Sequence, residues 1–142
     1  MGTETEQVEQ AVAGLFTAFR RKRGREQAGG DLSGTQLRAL DGLAEAGQAT
    51  ARQLADYADV TPATMTGMLD ALEAKGVIRR ERSRTDRRAV QVVLTDDGRA
   101  LVAEARERWR QRWQQALSDV PPEDLQAAIR VIGKVTDLFD RI

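Results

Sequence analysis

The sequence contains neither cysteine nor histidine among its 142 residues. Without cysteine the chain has no disulfide framework, no thiolate nucleophile and no Cys-ligated zinc site. Without histidine it lacks the imidazole base and the nitrogen ligand on which many hydrolases and transition-metal enzymes depend. These absences exclude most hydrolase and metalloenzyme mechanisms, so we expect a protein that is not an enzyme and that holds no metal and no cofactor.

The sequence also lacks a long apolar run and an excess of charge of either sign. No apolar stretch approaches the ~20 residues that span a bilayer, and the first ten residues, MGTETEQVEQ, do not resemble a signal peptide. We therefore expect a cytoplasmic protein with no membrane partner. Lys+Arg and Asp+Glu both total 22, so any attraction to a polyanion must come from the distribution of charge along the chain.

Local sequence signals predict four helices in the first half of the chain. An apolar stripe at helical spacing from Val8 to Phe19 predicts the first helix. The capping-box spacings that begin at Ser33 and at Thr50 predict the starts of the second and third. Thr61-Pro62, an N-cap residue followed by proline at the first helical position, predicts the start of the fourth, and Gly76 predicts its end.

A basic hairpin follows these helices. Val77-Ile78 and the period-two alternation from Val90 to Leu94 predict two strands. Residues 79–88 between them carry six arginines and two acids, a local charge of six minus two, or +4. The arginines repel one another, and a phosphate backbone would relieve that repulsion. The alternative is a solvated edge hairpin whose charges prevent strand-to-strand aggregation.

The short gap between the third and fourth helices predicts a helix-turn-helix in which the fourth helix is the reader. Its predicted exposed residues are small, so they could approach base edges and phosphates closely: Thr61, Pro62, Ala63, Thr64, Thr66 and Gly67. Two short packed helices also occur in many domains that bind no DNA. Because the basic hairpin follows directly, the two signals together predict a winged helix-turn-helix.

Two long amphipathic helices complete the prediction, the second of them beginning after Pro121-Pro122. The chain, with VTPATMTGMLDALEAKGVIRR at 60–80 and TDRRAVQVVLTDDGRAL at 85–101, resembles the MarR family of bacterial transcriptional regulators over essentially its whole length. The resemblance implies a mainly α (α+β) winged-helix fold in a single domain, 1–142. Within it, a DNA-binding lobe would span 32–95, and a helical dimerisation region would span 5–28 and 96–142.

The resemblance implies a homodimer that binds a pseudo-palindromic operator in double-stranded DNA as a repressor and is released by a small aromatic or anionic effector. Arg88 at the wing tip would enter the minor groove, Asp86 would orient it, and Arg87 would contact phosphate. The full predicted DNA-binding set is Thr61, Ala63, Thr64, Thr66, Arg80, Arg84, Arg87 and Arg88. Many family members have arginine where this chain has Gly67 and Ala71, and this departure argues against an arginine–guanine contact from this helix.

Several features of the sequence keep alternative interpretations open. Trp109 and Trp113, one helical turn apart, could lie in the core, in a dimer interface or in a ligand site. The basic cluster 20–25 could contact DNA or complement the dipole of the first helix. A winged helix that binds a protein partner or an effector without reading DNA is a second function class. Catalysis by paired carboxylates, Asp96-Asp97 or Glu123-Asp124, is a third, although helix starts explain both pairs.

Overall fold

The computed structural model describes residues 2–26, 32–83, 85–86 and 89–142, with side chains in the first segment as far as residue 22. In these residues the order is four helices, a hairpin and two helices. The elements are α1 (Glu4–Glu26), α2 (Gly34–Ala46), α3 (Ala51–Ala58), α4 (Pro62–Ala74), β1 (Ile78–Arg82), β2 (Val90–Leu94), α5 (Asp96–Ala116) and α6 (Pro122–Asp140). This order confirms the predicted mainly helical, winged-helix fold class. Gly29 and Gly30, which the sequence marks as a loop before the second helix, lie outside the described residues.

The chain forms two compact units, Met1–Glu104 and Ala105–Ile142. The first unit holds α1 to α4, the hairpin and the start of α5. The second holds the rest of α5 and all of α6. The lobe predicted at 32–95 falls inside the first unit, and the assignment of 5–28 and 96–142 to dimerisation stays a prediction.

The core of the first unit is aliphatic. Its largest fully buried side chains come from α2, α3, α4 and β2: Leu40, Leu43, Leu54, Met65, Leu72 and Val92. No polar or charged residue is buried among the described residues. Truncating one such side chain to alanine lowers the free energy of unfolding by about 2–5 kcal/mol. Packing in this core therefore holds α4 and the hairpin in position.

Side-chain caps fix where α2 and α3 begin. Ser33 Oγ accepts a hydrogen bond from Gln36 N at 3.1 Å, and Gln36 Oε1 accepts one from Ser33 N at 3.0 Å. Thr50 and Gln53 make the same reciprocal pair at 3.2 and 2.9 Å. Both predicted capping boxes are therefore confirmed, and each satisfies backbone donors that the first helical turn leaves without partners.

The sheet is an antiparallel hairpin extended by a single residue. Ile78 pairs with Leu94 at its base and Arg82 with Val90 near its tip. Ala49, just before α3, adds a bridge to Val92 with N···O distances of 3.1 and 2.7 Å. Val92 and Leu94 are buried as the alternation predicts, whereas Val90 is 50% exposed. Val90 lies at the tip end of its strand, beyond the aliphatic core.

The start of α5 is tied to the turn that follows α4. Thr95 Oγ1 donates to Gly76 O at 2.6 Å, and Thr95 N donates to Val77 O at 3.1 Å. Thr95 Oγ1 also accepts from Gly98 N at 3.1 Å, so it caps α5. A Cβ at Gly98 would lie 2.0 Å from Val77 O. Glycine at this position therefore lets the first turn of α5 approach the backbone after α4.

Candidate nucleic-acid interface

The two helices of the predicted helix-turn-helix are joined by a tight turn. Asp59 ends α3 with φ 55°, in the left-handed region that aspartate tolerates better than most residues. Val60 N donates a hydrogen bond to Ala55 O at 3.0 Å. Thr61 then caps α4, its Oγ1 accepting from Thr64 N at 3.2 Å, and Pro62 takes the first helical position. The turn, the cap and the proline confirm the predicted start of the reading helix.

The N-terminal half of α4 presents one uncharged, exposed face, which we call the reading face. Its six residues are exposed as predicted: Thr61, Pro62, Ala63, Thr64, Thr66 and Gly67. The opposite side of α4 packs into the core through Met65, Leu69 and Leu72. The fold therefore turns the four predicted contact residues of this helix, which are Thr61, Ala63, Thr64 and Thr66, toward the outside of the molecule.

The hydroxyl groups on the reading face are partly used within the helix. Thr61 Oγ1 donates to Thr64 Oγ1 at 2.9 Å, and Thr66 Oγ1 donates to Pro62 O at 3.1 Å. Each hydroxyl has one proton to give. Within the described part of the chain, only the Thr64 hydroxyl proton on this face is left without an acceptor. The face therefore offers methyl groups, oxygen lone pairs and a single hydroxyl donor.

Gly67 leaves a gap at the end of the reading face. A Cβ placed there would have no heavy atom within 4 Å beyond its own helix. No neighbour therefore requires glycine at this position, and an interior helical glycine is costly by about 0.5–1 kcal/mol relative to alanine. The space is available to a ligand that approaches the helix backbone closely.

Arg80 on β1 is paired with two carboxylates of α4. Its Nη2 lies 2.8 Å from Asp70 Oδ1 and its Nε lies 3.3 Å from Glu73 Oε2. The Arg80 side chain is 33% exposed, less than either partner. Sequence reasoning predicted Arg80 as a DNA contact and missed both carboxylates, because the residues are as much as ten positions apart and on different elements.

The described part of the wing shows how its tip is closed. Ser83 N donates to Ala89 O at 2.9 Å, Ala89 N donates to Asp86 O at 3.1 Å, and Asp86 N donates to Ser83 Oγ at 3.4 Å. Asp86 is exposed. The predicted DNA contacts Arg84, Arg87 and Arg88 lie outside the described residues, so the pairing of Asp86 with Arg88 stays a prediction. On β1, Arg79 Nε pairs with Glu81 Oε1 at 2.6 Å.

The tryptophans of the second unit form an exposed pair. Trp109 and Trp113 pack edge to face, with ring centroids 6.1 Å apart and an interplanar angle of 81°. They are 43% and 52% exposed, which is too much for core residues of this chain. Of the interpretations drawn from the sequence, a subunit interface and a ligand platform are left.

Neither a metal centre nor a membrane span is found in the part of the chain that the structure describes. No group of three or more acidic side chains is arranged there to hold a metal ion. None of its helices is both long enough and apolar enough to cross a bilayer.

A reading helix held by an aliphatic core and followed by a two-stranded wing defines a winged helix-turn-helix protein. Residues 32–90 match the sequence model of the MarR family. The resemblance to this family that the sequence predicted is therefore confirmed over these residues. Relatives of known sequence include YfiV of Bacillus subtilis, an HTH-type transcriptional regulator. It is 30% identical over 97 residues, 68% of this chain and 61% of that protein. The chain thus spans about three fifths of the length of YfiV.

Solved structures of similar proteins cover nearly the whole chain. The transcriptional regulator BldR from Sulfolobus solfataricus is 28% identical with a TM-score of 0.71, over 100% of both chains. BpsR of Bordetella bronchiseptica, whose structure addresses regulation of DNA binding by 6-hydroxynicotinic acid, is 27% identical with a TM-score of 0.65. That match covers 89% of this chain and 98% of BpsR.

Proposed function

We propose that this protein is a cytoplasmic transcriptional repressor that binds a pseudo-palindromic operator in double-stranded DNA as a homodimer. The observation that carries the proposal is the exposed, uncharged reading face of α4 beside a wing segment with a charge of +4. An uncharged helix surface can enter a major groove, while arginines on the wing neutralise phosphates. The similarity to YfiV and BldR, both transcriptional regulators, supports the same function.

The proposal divides the DNA contacts between helix and wing. Thr61, Ala63, Thr64 and Thr66 face base edges and phosphates in the major groove. The wing arginines Arg84, Arg87 and Arg88 supply positive charge, with Arg88 in the minor groove, where the negative potential favours arginine. Asp86 orients Arg88, which lowers the entropy that its side chain loses on binding. Arg80, also a predicted contact, reaches the DNA only if phosphate competes with its two carboxylate partners.

Exposed apolar faces support the homodimer. In the first unit α1 exposes Leu15, Phe16 and Phe19, and in the second α6 has no buried residue at all. Ile129 and Ile132 on α6 are 68% and 62% exposed. Apolar surface of this extent marks an interaction site in a folded protein. A two-fold dimer would cover the surface and place two reading helices for half-sites about 34 Å apart.

Release by a small effector is the remaining part of the proposal. The chemistry expected is aromatic or anionic, and BpsR, whose DNA binding is regulated by 6-hydroxynicotinic acid, supports a ligand of this class. The effector would act by changing the separation of the two reading helices in the dimer. An effector that binds the DNA-free form more tightly shifts the population toward it in proportion to that difference in affinity.

The test is a titration of the purified protein onto the DNA that flanks its own gene and onto a scrambled fragment of equal length, at two salt concentrations. We expect preference for the flanking DNA, weaker binding at the higher salt, and loss of binding in Arg88→Ala. Arg99→Ala is the matched control. Like Arg88→Ala, it removes one positive charge, but at the start of α5. The start of α5 follows β2 at the base of the hairpin, opposite the tip.

Equal, weak binding to both fragments would contradict the proposal. It would favour a winged helix that binds a protein partner or an effector without reading DNA. One observation favours that alternative: the reading face of α4 carries no basic residue. It therefore lacks the side chains that most often contact guanine.

A further inference from the structure

We propose that the reading face recognises thymine methyl groups, so that the half-sites of the operator are rich in A·T pairs where α4 lies in the major groove. The inference rests on the proposed function and specifies which DNA sequence that function reads. It follows from the side chains that the reading face offers and from those that it lacks.

The reading face lacks every side chain that reads a purine through two hydrogen bonds. Guanine is read by arginine or lysine and adenine by asparagine or glutamine, in each case bidentately in the major groove. None of these residue types occurs between Thr61 and Gly67. The next polar side chain along α4, Asp70, lies beyond the reading face and pairs through Oδ1 with Arg80 at 2.8 Å.

The groups that the reading face does offer are mainly methyl groups. Ala63 contributes its Cβ, and each of three exposed threonines contributes a γ-methyl. The hydroxyl protons of Thr61 and Thr66 are used inside the helix, at 2.9 and 3.1 Å. Among the four bases only thymine presents a methyl group in the major groove, and alanine and threonine methyls are suited to contact it.

Gly67 allows the close approach that a methyl contact needs. Dispersion attraction between carbon atoms falls off steeply beyond about 4 Å, so short side chains must be brought near the base edges. The space around Gly67, where a Cβ would have no heavy atom within 4 Å beyond its own helix, lets the helix backbone itself come close to the DNA. A long side chain at this position would hold the reading face away from the base edges.

The first experiment selects binding sites from a pool of duplexes with 24 randomised base pairs (a length of about two helical turns). We expect enrichment of two half-sites that are rich in A·T pairs. Each thymine of the best site is then replaced by deoxyuridine, which deletes only the methyl group. Because that methyl lies in the major groove, the replacement leaves minor-groove contacts of the wing unchanged. Burial of one methyl predicts about a fourfold loss of affinity at each contacted thymine.

The second experiment connects the thymine methyls to named side chains. Thr64→Ser and Thr66→Ser each delete one methyl and retain the hydroxyl. In each serine variant, we expect deoxyuridine to have little effect on affinity at the thymine that the substituted threonine contacts. The reason is that the methyl–methyl contact is already lost in the variant. Thr136→Ser is the matched control. On α6, Thr136 Oγ1 donates to the carbonyl oxygen of Ile132, four residues earlier, at 2.9 Å. Thr66 Oγ1 makes the corresponding bond to Pro62 O on α4.

The outcomes separate this inference from the proposed function. A buried methyl is expected to change affinity about fourfold. Thymine reading would be overturned if sites were enriched but deoxyuridine changed their affinity by less than about 1.5-fold at every position. The protein would still be a sequence-specific DNA-binding protein. A pool with no enrichment at all would overturn the proposed function itself. In Gly67→Arg we expect the selected half-sites to gain a guanine, because arginine can reach its O6 and N7.

Discussion

The contact between Gly98 and the backbone after α4 makes a quantitative stability prediction. In Gly98→Ala the new Cβ would lie 2.0 Å from Val77 O, whereas real Cβ atoms essentially never come closer than 3.0 Å to such an atom. The start of α5 or the chain at Val77 must therefore move by about 1 Å (3.0 minus 2.0). Neither can give way by a simple rotamer change, because the clash is with the backbone.

The expected cost combines three effects. Overpacking of this kind costs about 1–3 kcal/mol. The displacement also weakens the hydrogen bonds from Thr95 to Gly76 O and Val77 O, and a typical bond contributes about 1 kcal/mol. Alanine recovers about 1 kcal/mol through its higher helix propensity. We therefore expect Gly98→Ala to lower the free energy of unfolding by about 1–3 kcal/mol.

Gly67→Ala is the matched control, since it makes the same change in a helix where the new Cβ meets open space. We expect it to raise the free energy of unfolding by about 0.5–1 kcal/mol. Both variants are measured by urea unfolding at one protomer concentration, because the stability of a dimer depends on concentration. If Gly98→Ala proved as stable as Gly67→Ala, the close approach of α5 to Val77 would be refuted.

Three further predictions test the wing, the junction and the dimer. Arg80→Gln should leave the slope of log affinity against log salt unchanged, because two carboxylates already hold Arg80, whereas a phosphate contact would reduce the slope by about one. The variant should still weaken DNA binding, because it leaves the negative charges of Asp70 and Glu73 without their arginine. Thr95→Val should lower the free energy of unfolding by about 1–2 kcal/mol in urea, through loss of the cap and of the bond to Gly76. Ile132→Glu should yield monomers in sedimentation, and a stable dimer would contradict the role of α6.

The helix starts could be predicted from the sequence because their causes are local. Ser33 and Thr50 each cap a helix through a glutamine three residues later, and both partners are visible in the sequence. Thr61-Pro62 marks the start of α4 in the same way. Gly76, with φ 75°, ends the segment by supplying a conformation that other residues rarely adopt. These local signals are sufficient to place the reading helix without any tertiary contact.

Contacts between distant residues could not be predicted in this way. The bridge from Ala49 to Val92 involves one residue, so it leaves no alternation in the sequence. The exposure of Val90 depends on where the aliphatic core ends, which the alternation of β2 does not contain. The approach of Gly98 to Val77 joins residues 21 positions apart in sequence (98 minus 77), and a glycine at the start of a helix does not by itself indicate it.

Arg80 shows why a count of arginines is a poor guide to the charge offered to DNA. The sequence gives the segment 79–88 a charge of +4, taking Glu81 and Asp86 as its only acids. In the fold, Asp70 and Glu73 of α4 join Arg80, so this group of three carries a charge of −1 (one minus two). The net positive charge of the wing therefore comes from residues later in the segment 79–88 than Arg80. That distribution favours the proposed arrangement, in which the N-terminal half of α4 enters the major groove and Arg88 of the wing enters the minor groove.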